Sequence, residues 1–211
     1  MNRSEQRIPK LRTRGRENRR KLLKTAEKLL AASHGEALRF SDVFDTAAVS
    51  RGSAYRIYIG IDDLMQDLAS EWIDNLVAFL SEVRPEHNPD NWQQLSDFII
   101  EKGADYWAQT ADTLRVMPRV RSNAPESYKD SLRELSHCLA NLFDRFFFMP
   151  EIPSWTGKLS FYTQLCDAGF SDAVRVDNRI TVERMTEAQT LCRTYLSFHL
   201  PEWIPARPGA D

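Results

Sequence analysis

The sequence predicts an all-α fold, with a small N-terminal three-helix unit followed by a larger helical body. Three observations carry that reading. Apolar residues recur at helical spacing through most of the 211 residues. Gly35, Gly60, Pro85 and Pro89 interrupt the chain so as to leave helix-length segments between them. Hydrophobic residues make up 42% and charged residues 27%, enough to cover a helical core and solvate its outer faces.

Each element follows from its local pattern. Residues 1–15 are polar and basic, carry Pro9 and Gly15, and are expected to form a flexible arm. From Arg16 one stripe collects Leu22, Ala26, Leu29, Leu30 and Ser33, with Arg19, Arg20, Lys24, Glu27 and Lys28 mostly off it; Gly35 closes this helix. A second short helix runs near Phe40–Ala47, with Val43, Phe44 and Ala47 inward. Ser50 suits the N-cap of a third, Arg51–Ile57, and Gly60 ends it. A long helix spans Ile61–Val83, with Leu64, Leu68, Trp72, Leu76, Phe79 and Leu80 on one face. Further helices are expected near Trp92–Thr110, Thr113–Val120, Pro125–Met149, Ser154–Ala168 and Thr186–His199, the last opened by a Thr186/Gln189 capping box. Val174–Val182 alternates around an Asp-Asn pair and reads as a hairpin or a loop. The expected division is a basic arm over 1–15, a first domain over 16–60 and a larger one over 61–211.

Composition excludes several classes. No apolar run approaches the roughly 18 residues of a membrane span, and the basic N-terminus has no apolar segment of a secretory signal. Cys138, Cys166 and Cys192 are odd in number and far apart, which suits reduced thiols in a cytoplasmic protein without a metal or cofactor. His137 beside Cys138 suggests nucleophile chemistry, but neighbours on a helix point about 100° apart and cannot pair; an enzyme is not expected. The net charge of −2 hides an asymmetry: residues 1–60 carry 14 Lys+Arg against 6 Asp+Glu, and the remainder 14 against 24. A basic head on an acidic body points to a polyanionic partner for the head.

Two short helices joined by a tight turn, the second opened by Ser50, form a helix-turn-helix pattern. A helix that enters a major groove needs donors outside and a backbone that comes close. Ser50, Arg51, Ser53, Tyr55 and Arg56 supply donors, and Gly52 removes a side chain; Ala54 and Tyr58 turn inward. Arg14, Arg16 and Ser41 complete the expected DNA-facing set.

The stretch Phe40–Ala69, with the preceding "LLKTAEKLLAASHG", resembles the DNA-binding domain of TetR-family transcriptional repressors. Ala26, Leu30, Gly35, Val43, Ala47, Val49, Ser50, Gly52, Tyr55, Tyr58 and Leu64 carry the likeness over residues 16–70. The resemblance implies a homodimeric all-α repressor whose head binds operator DNA. It also implies a fourth helix leading to a ligand-binding domain, and two last helices that build a four-helix dimer interface. The sequence departs from the pattern at Ala48, where the family usually has Gly, and at Ile57, where it usually has His or Tyr. Gly60-Ile61-Asp62 stands where it often has Ser-Lys-Glu. Two phosphate donors are therefore missing, and Arg12, Arg14, Arg16, Arg19 and Arg20 are expected to compensate.

In the body, aromatic spacing and the resemblance together suggest a pocket walled by some of Trp72, Phe79, Phe98, Tyr106, Trp107, Phe143 and Phe147, suited to a small hydrophobic or aromatic effector. The dimer faces are expected to use Leu159, Tyr162, Leu165 and Cys166 with Ala188, Leu191, Cys192, Tyr195, Leu196 and Phe198. The reading is a ligand-released repressor on a palindromic operator, the long helix transmitting a tilt that alters the spacing of two recognition helices. The alternative is an all-α small-molecule-binding or interaction protein that has lost DNA binding.

Overall fold

A computed structural model of the chain describes residues 13–33, 37–109, 114 and 126–208. Among them are eight helices: α1 (Thr13–Ala32), α2 (Phe40–Thr46), α3 (Arg51–Ala54), α4 (Ile61–Glu82), α5 (Trp92–Ala108), α6 (Glu126–Phe146), α7 (Trp155–Asp177) and α8 (Val182–Ser197). The expected arm through residue 12, the stop at Gly35 and nearly all of the expected helix Thr113–Val120 lie outside the described residues. Leu114 is helical and fully buried.

α1 begins at Thr13, so Arg14 belongs to a helix and not to the arm. Its buried stripe is Arg19, Leu22, Leu23, Ala26 and Leu30. Arg19 thus lies on the stripe and not off it, one turn before Leu22 and Leu23. α2 ends in a left-handed residue. The Ala48 N–H donates to Asp45 O (3.1 Å) and the Val49 N–H to Phe44 O (2.9 Å), the paired bonds of a Schellman stop. That stop requires positive φ at Ala48, which has φ 52°.

α3 is shorter than expected, although the Tyr58 N–H still donates to Ala54 O and prolongs the turn. Asp62 and Asp63 occupy the first turn of α4, where the helix dipole favours negative charge. The Asp63 carboxylate also accepts from the Ile59 N–H at 3.0 Å.

α4 packs on α1 at its N-terminal end, and on α5 and α6 along its length. α7 packs on α6 and α8, and α5 on α8. α7 continues to Asp177 because Phe170, Ala173 and Val174 keep a helical stripe buried, and Asn178 ends it with φ 59°. Val174–Val182 is thus a helix end, a turn and a helix start, not a hairpin. α8 opens at Thr181, whose side chain accepts from the Arg184 N–H. The Thr186 capping box does not form: the Thr186 hydroxyl donates back to Val182 O inside the helix. After α8 the chain folds back, with the Phe148 N–H donating to Pro205 O (2.8 Å) and the Arg207 N–H to Phe146 O (2.7 Å).

Candidate nucleic-acid interface and effector cavity

Ser41, Ser50, Arg51, Gly52, Tyr55 and Arg56 are exposed, as are Arg14 and Arg16 on α1, and Ser53 is half-buried. Ala54 and Tyr58, on the back of α3, are buried. Ser50 takes the N-cap position with no side-chain bond to the helix backbone; its hydroxyl donates to Ser53 Oγ at 2.9 Å. Tyr55 is held from behind, its ring edge-on to Phe40 at 5.2 Å, and the Arg51 guanidinium lies 5.6 Å from the ring centroid. Arg56 donates to Gly52 O (3.0 Å) and Ser53 Oγ (3.4 Å), so it must leave its own helix to reach a ligand. Ser41 donates to Asp42.

Arg19 is lost to any phosphate. Its Nε and Nη2 donate to the two Asp67 oxygens at 2.7 and 2.6 Å, and the Tyr58 hydroxyl donates to the same carboxylate at 2.5 Å. Burial alone would lower the Arg19 pKa, but the Asp67 carboxylate outweighs it and raises it. Burial, then the Asp67 charge, pushes the Tyr58 phenol up. This cluster ties α1 and the end of the α3 turn to α4. A second tie runs from Trp72 Nε1 to Glu27 on α1 at 3.1 Å.

One turn further along α4 a cavity of about 260 Å³ opens. Ile73, Leu76 and Leu80 from α4, Ile99, Ile100, Gly103 and Trp107 from α5, and Tyr128, Leu132, Leu135 and Leu139 from α6 wall it. Tyr162, Cys166 and Phe170 close it from α7. Of the seven aromatics expected to wall a pocket, Trp107 does so. Trp72 points to Glu27 while its neighbour Ile73 turns into the cavity. Tyr106 donates to Trp72 O (2.9 Å) and lies 5.7 Å from the Phe79 ring. Phe98 sits beneath the Lys102 ammonium, Phe143 is edge-on to Trp155, and Phe147 is buried under the returning C-terminal segment. The other six rings are taken up in packing, and the opening falls where aliphatic side chains and Gly103 meet Trp107, Tyr128, Tyr162 and Phe170. A glycine within a helix, costing about 1 kcal/mol against alanine, was the signal for that place.

Cys138 is buried against Ser81 and Val77 O, its thiol pKa raised by burial, while His137 is exposed; the two diverge. No described helix is long and apolar enough to cross a membrane.

A helix-turn-helix head joined through one long helix to a hollow helical body defines the class. The crystal structure of a TetR-family transcriptional regulator from Streptomyces coelicolor matches with a TM-score of 0.66 over 87% of this chain and 99% of that one, at 19% identity. A TetR-family regulator from Pectobacterium atrosepticum matches at 0.60 over 92% and 100%, at 16% identity. One from Agrobacterium tumefaciens matches at 0.54 over 89% and 100%, at 13%. No family model and no curated protein matches the sequence. The chain has the TetR-family regulator fold.

Proposed function

We propose that the protein is a DNA-binding transcriptional regulator that acts as a homodimer on a palindromic operator and is released by a small apolar effector. One observation supports this most: α4 carries both the head's anchor residues, Asp67 and Trp72, and the cavity wall at Ile73, Leu76 and Leu80. A ligand that fits one tilt of α4 better than another shifts the spacing of the two heads. The head, from α1 through the α3 turn, is the DNA-binding unit, and the remainder holds the effector and the partner. The rival reading, a binding protein without DNA affinity, draws on Ile57 and Ile61, which stand where the family resemblance leads one to expect phosphate donors.

The deciding experiment is fluorescence anisotropy on the DNA flanking the protein's own gene. Wild type is expected to bind with strong salt dependence. Arg51→Ala should cost about 1–3 kcal/mol where it reads a base. Full affinity in the Arg51→Ala/Arg56→Ala double variant would refute the recognition-helix assignment, and absence of binding by wild type would favour the rival.

A further inference from the structure

We infer that the cavity takes a neutral, largely apolar ligand of bicyclic size that carries a carbonyl-type acceptor, held by the Tyr128 hydroxyl and the Trp107 indole N–H. This rests on the effector-binding reading above and narrows it to a chemical class.

Size comes first. An apolar cavity of about 150 Å³ holds benzene, so about 260 Å³ has room for roughly ten to twelve non-hydrogen atoms by the same proportion. A monocycle would rattle, and a drug-sized molecule would not enter without moving α4.

Charge comes next. The two formally charged residues on the wall, Lys129 and Asp167, are of opposite sign. Lys129 is exposed and already paired with Glu126 at 3.4 Å. The deeper wall is Ile73, Leu76, Ile100, Leu135, Leu139 and Phe170. An anionic ligand would lose its hydration there, the one cation among the described wall residues being already paired with Glu126.

The polar contact is set by which buried groups are still open. The Tyr162 hydroxyl, also on the wall, is engaged with Ser96, 3.1 Å from its Oγ. Tyr128 and Trp107 are 2% and 4% exposed and line the same cavity. Neither the phenol nor the indole N–H bonds to any described residue. Neither atom is sealed in the core, so each stays open to a group that enters the cavity. The indole can only donate, so the complementary group is an acceptor, and a ketone or similar carbonyl provides one without bringing charge.

The test is titration calorimetry on the full chain with three probes: α-tetralone, tetralin and 1-naphthoate. They share a bicyclic frame and differ in carrying a neutral acceptor, no acceptor and a negative charge. Binding is expected in the order tetralone, tetralin, naphthoate. Tyr128→Phe should weaken tetralone about 3- to 10-fold, the value of one hydrogen bond, and leave tetralin unchanged, which also shows that the cavity is intact. The inference is overturned if naphthoate binds tightest, if tetralone is indifferent to Tyr128→Phe, or if neither neutral probe binds up to its solubility limit. Binding in the expected order with no change in DNA affinity would uphold the ligand class and refute the effector-release function instead.

Discussion

At the residue scale, Ala48 shows where a sequence departure has a conformational cost. The Schellman stop between α2 and α3 places it at φ 52°, in the left-handed region. An L-residue with a Cβ is disfavoured there by about 1–2 kcal/mol, whereas glycine pays only its greater freedom in the unfolded chain, about 0.4–1 kcal/mol. Ala48 is exposed, so its methyl contributes little packing. Ala48→Gly should therefore stabilise the protein by about 0.5–1 kcal/mol, read as a higher urea midpoint with an unchanged slope; a lower midpoint would mean that the turn is not left-handed in solution. The missing glycine was legible in the sequence, but its conformational consequence needed the backbone. Arg19 is the opposite case. Its position among basic neighbours read as a phosphate ligand, and only the fold reveals that Asp67, 48 residues away, takes its guanidinium. Charge pattern along a chain cannot distinguish a solvated cation from one whose partner arrives through tertiary structure.

At the element scale, α4 is the member on which the head and the body depend. Its length and apolar face were legible, since Ile61–Glu82 differs by one residue from the expected helix. What the sequence concealed is that its charged residues also point inward, toward α1. The Arg19 and Asp67 side chains are only 10% and 22% exposed. Removing one member of such a pair strands the other charge and costs about 3–5 kcal/mol. Asp67→Ala should lose about that much stability in urea unfolding; a loss within 0.5 kcal/mol, the range of an ordinary surface substitution, would show the pair to be ornamental. Glu71, one turn on, sits 4.0 Å from Arg19, and burial raises its pKa above the usual 4.5 despite that cation. The folded state therefore holds the Glu71 proton more tightly than the unfolded chain does. This group's contribution is most favourable below pH 4.5 and is lost as pH rises from there through the raised value. Glu71→Gln should flatten that fall and be more stable than wild type at neutral pH. Parallel stability–pH curves for the two proteins would remove the burial argument.

At the scale of the whole molecule, the two last helices show how far a pattern in one chain can be read. Their amphipathic faces were visible, but a single sequence cannot say which apolar residues meet their own chain and which await another. The fold divides them. Leu159, Tyr162, Ala188, Cys192 and Leu196 are buried within the protomer, whereas Phe161, Leu191 and Phe198 are 47%, 48% and 79% exposed. Tyr195 joins the outer set, 5.0 Å from the Phe161 ring and 4.9 Å from His199. A contiguous exposed aromatic patch across two helices is what a self-complementary two-fold contact requires, and it narrows the expected interface to the outer residues. Light scattering of the wild type should give twice the 24.4 kDa chain mass. Leu191→Asp with Phe198→Asp should give one chain mass with an unchanged helical circular dichroism signal, because both side chains lie outside the protomer core. The same variant separates assembly from recognition. A two-fold operator needs the recognition helices about 34–36 Å apart, a spacing that only the dimer holds. The monomer should therefore lose most of its affinity for the full operator while keeping the weak, salt-sensitive binding of a single head. Full operator affinity in a monomeric variant would refute the dimer as the reading unit.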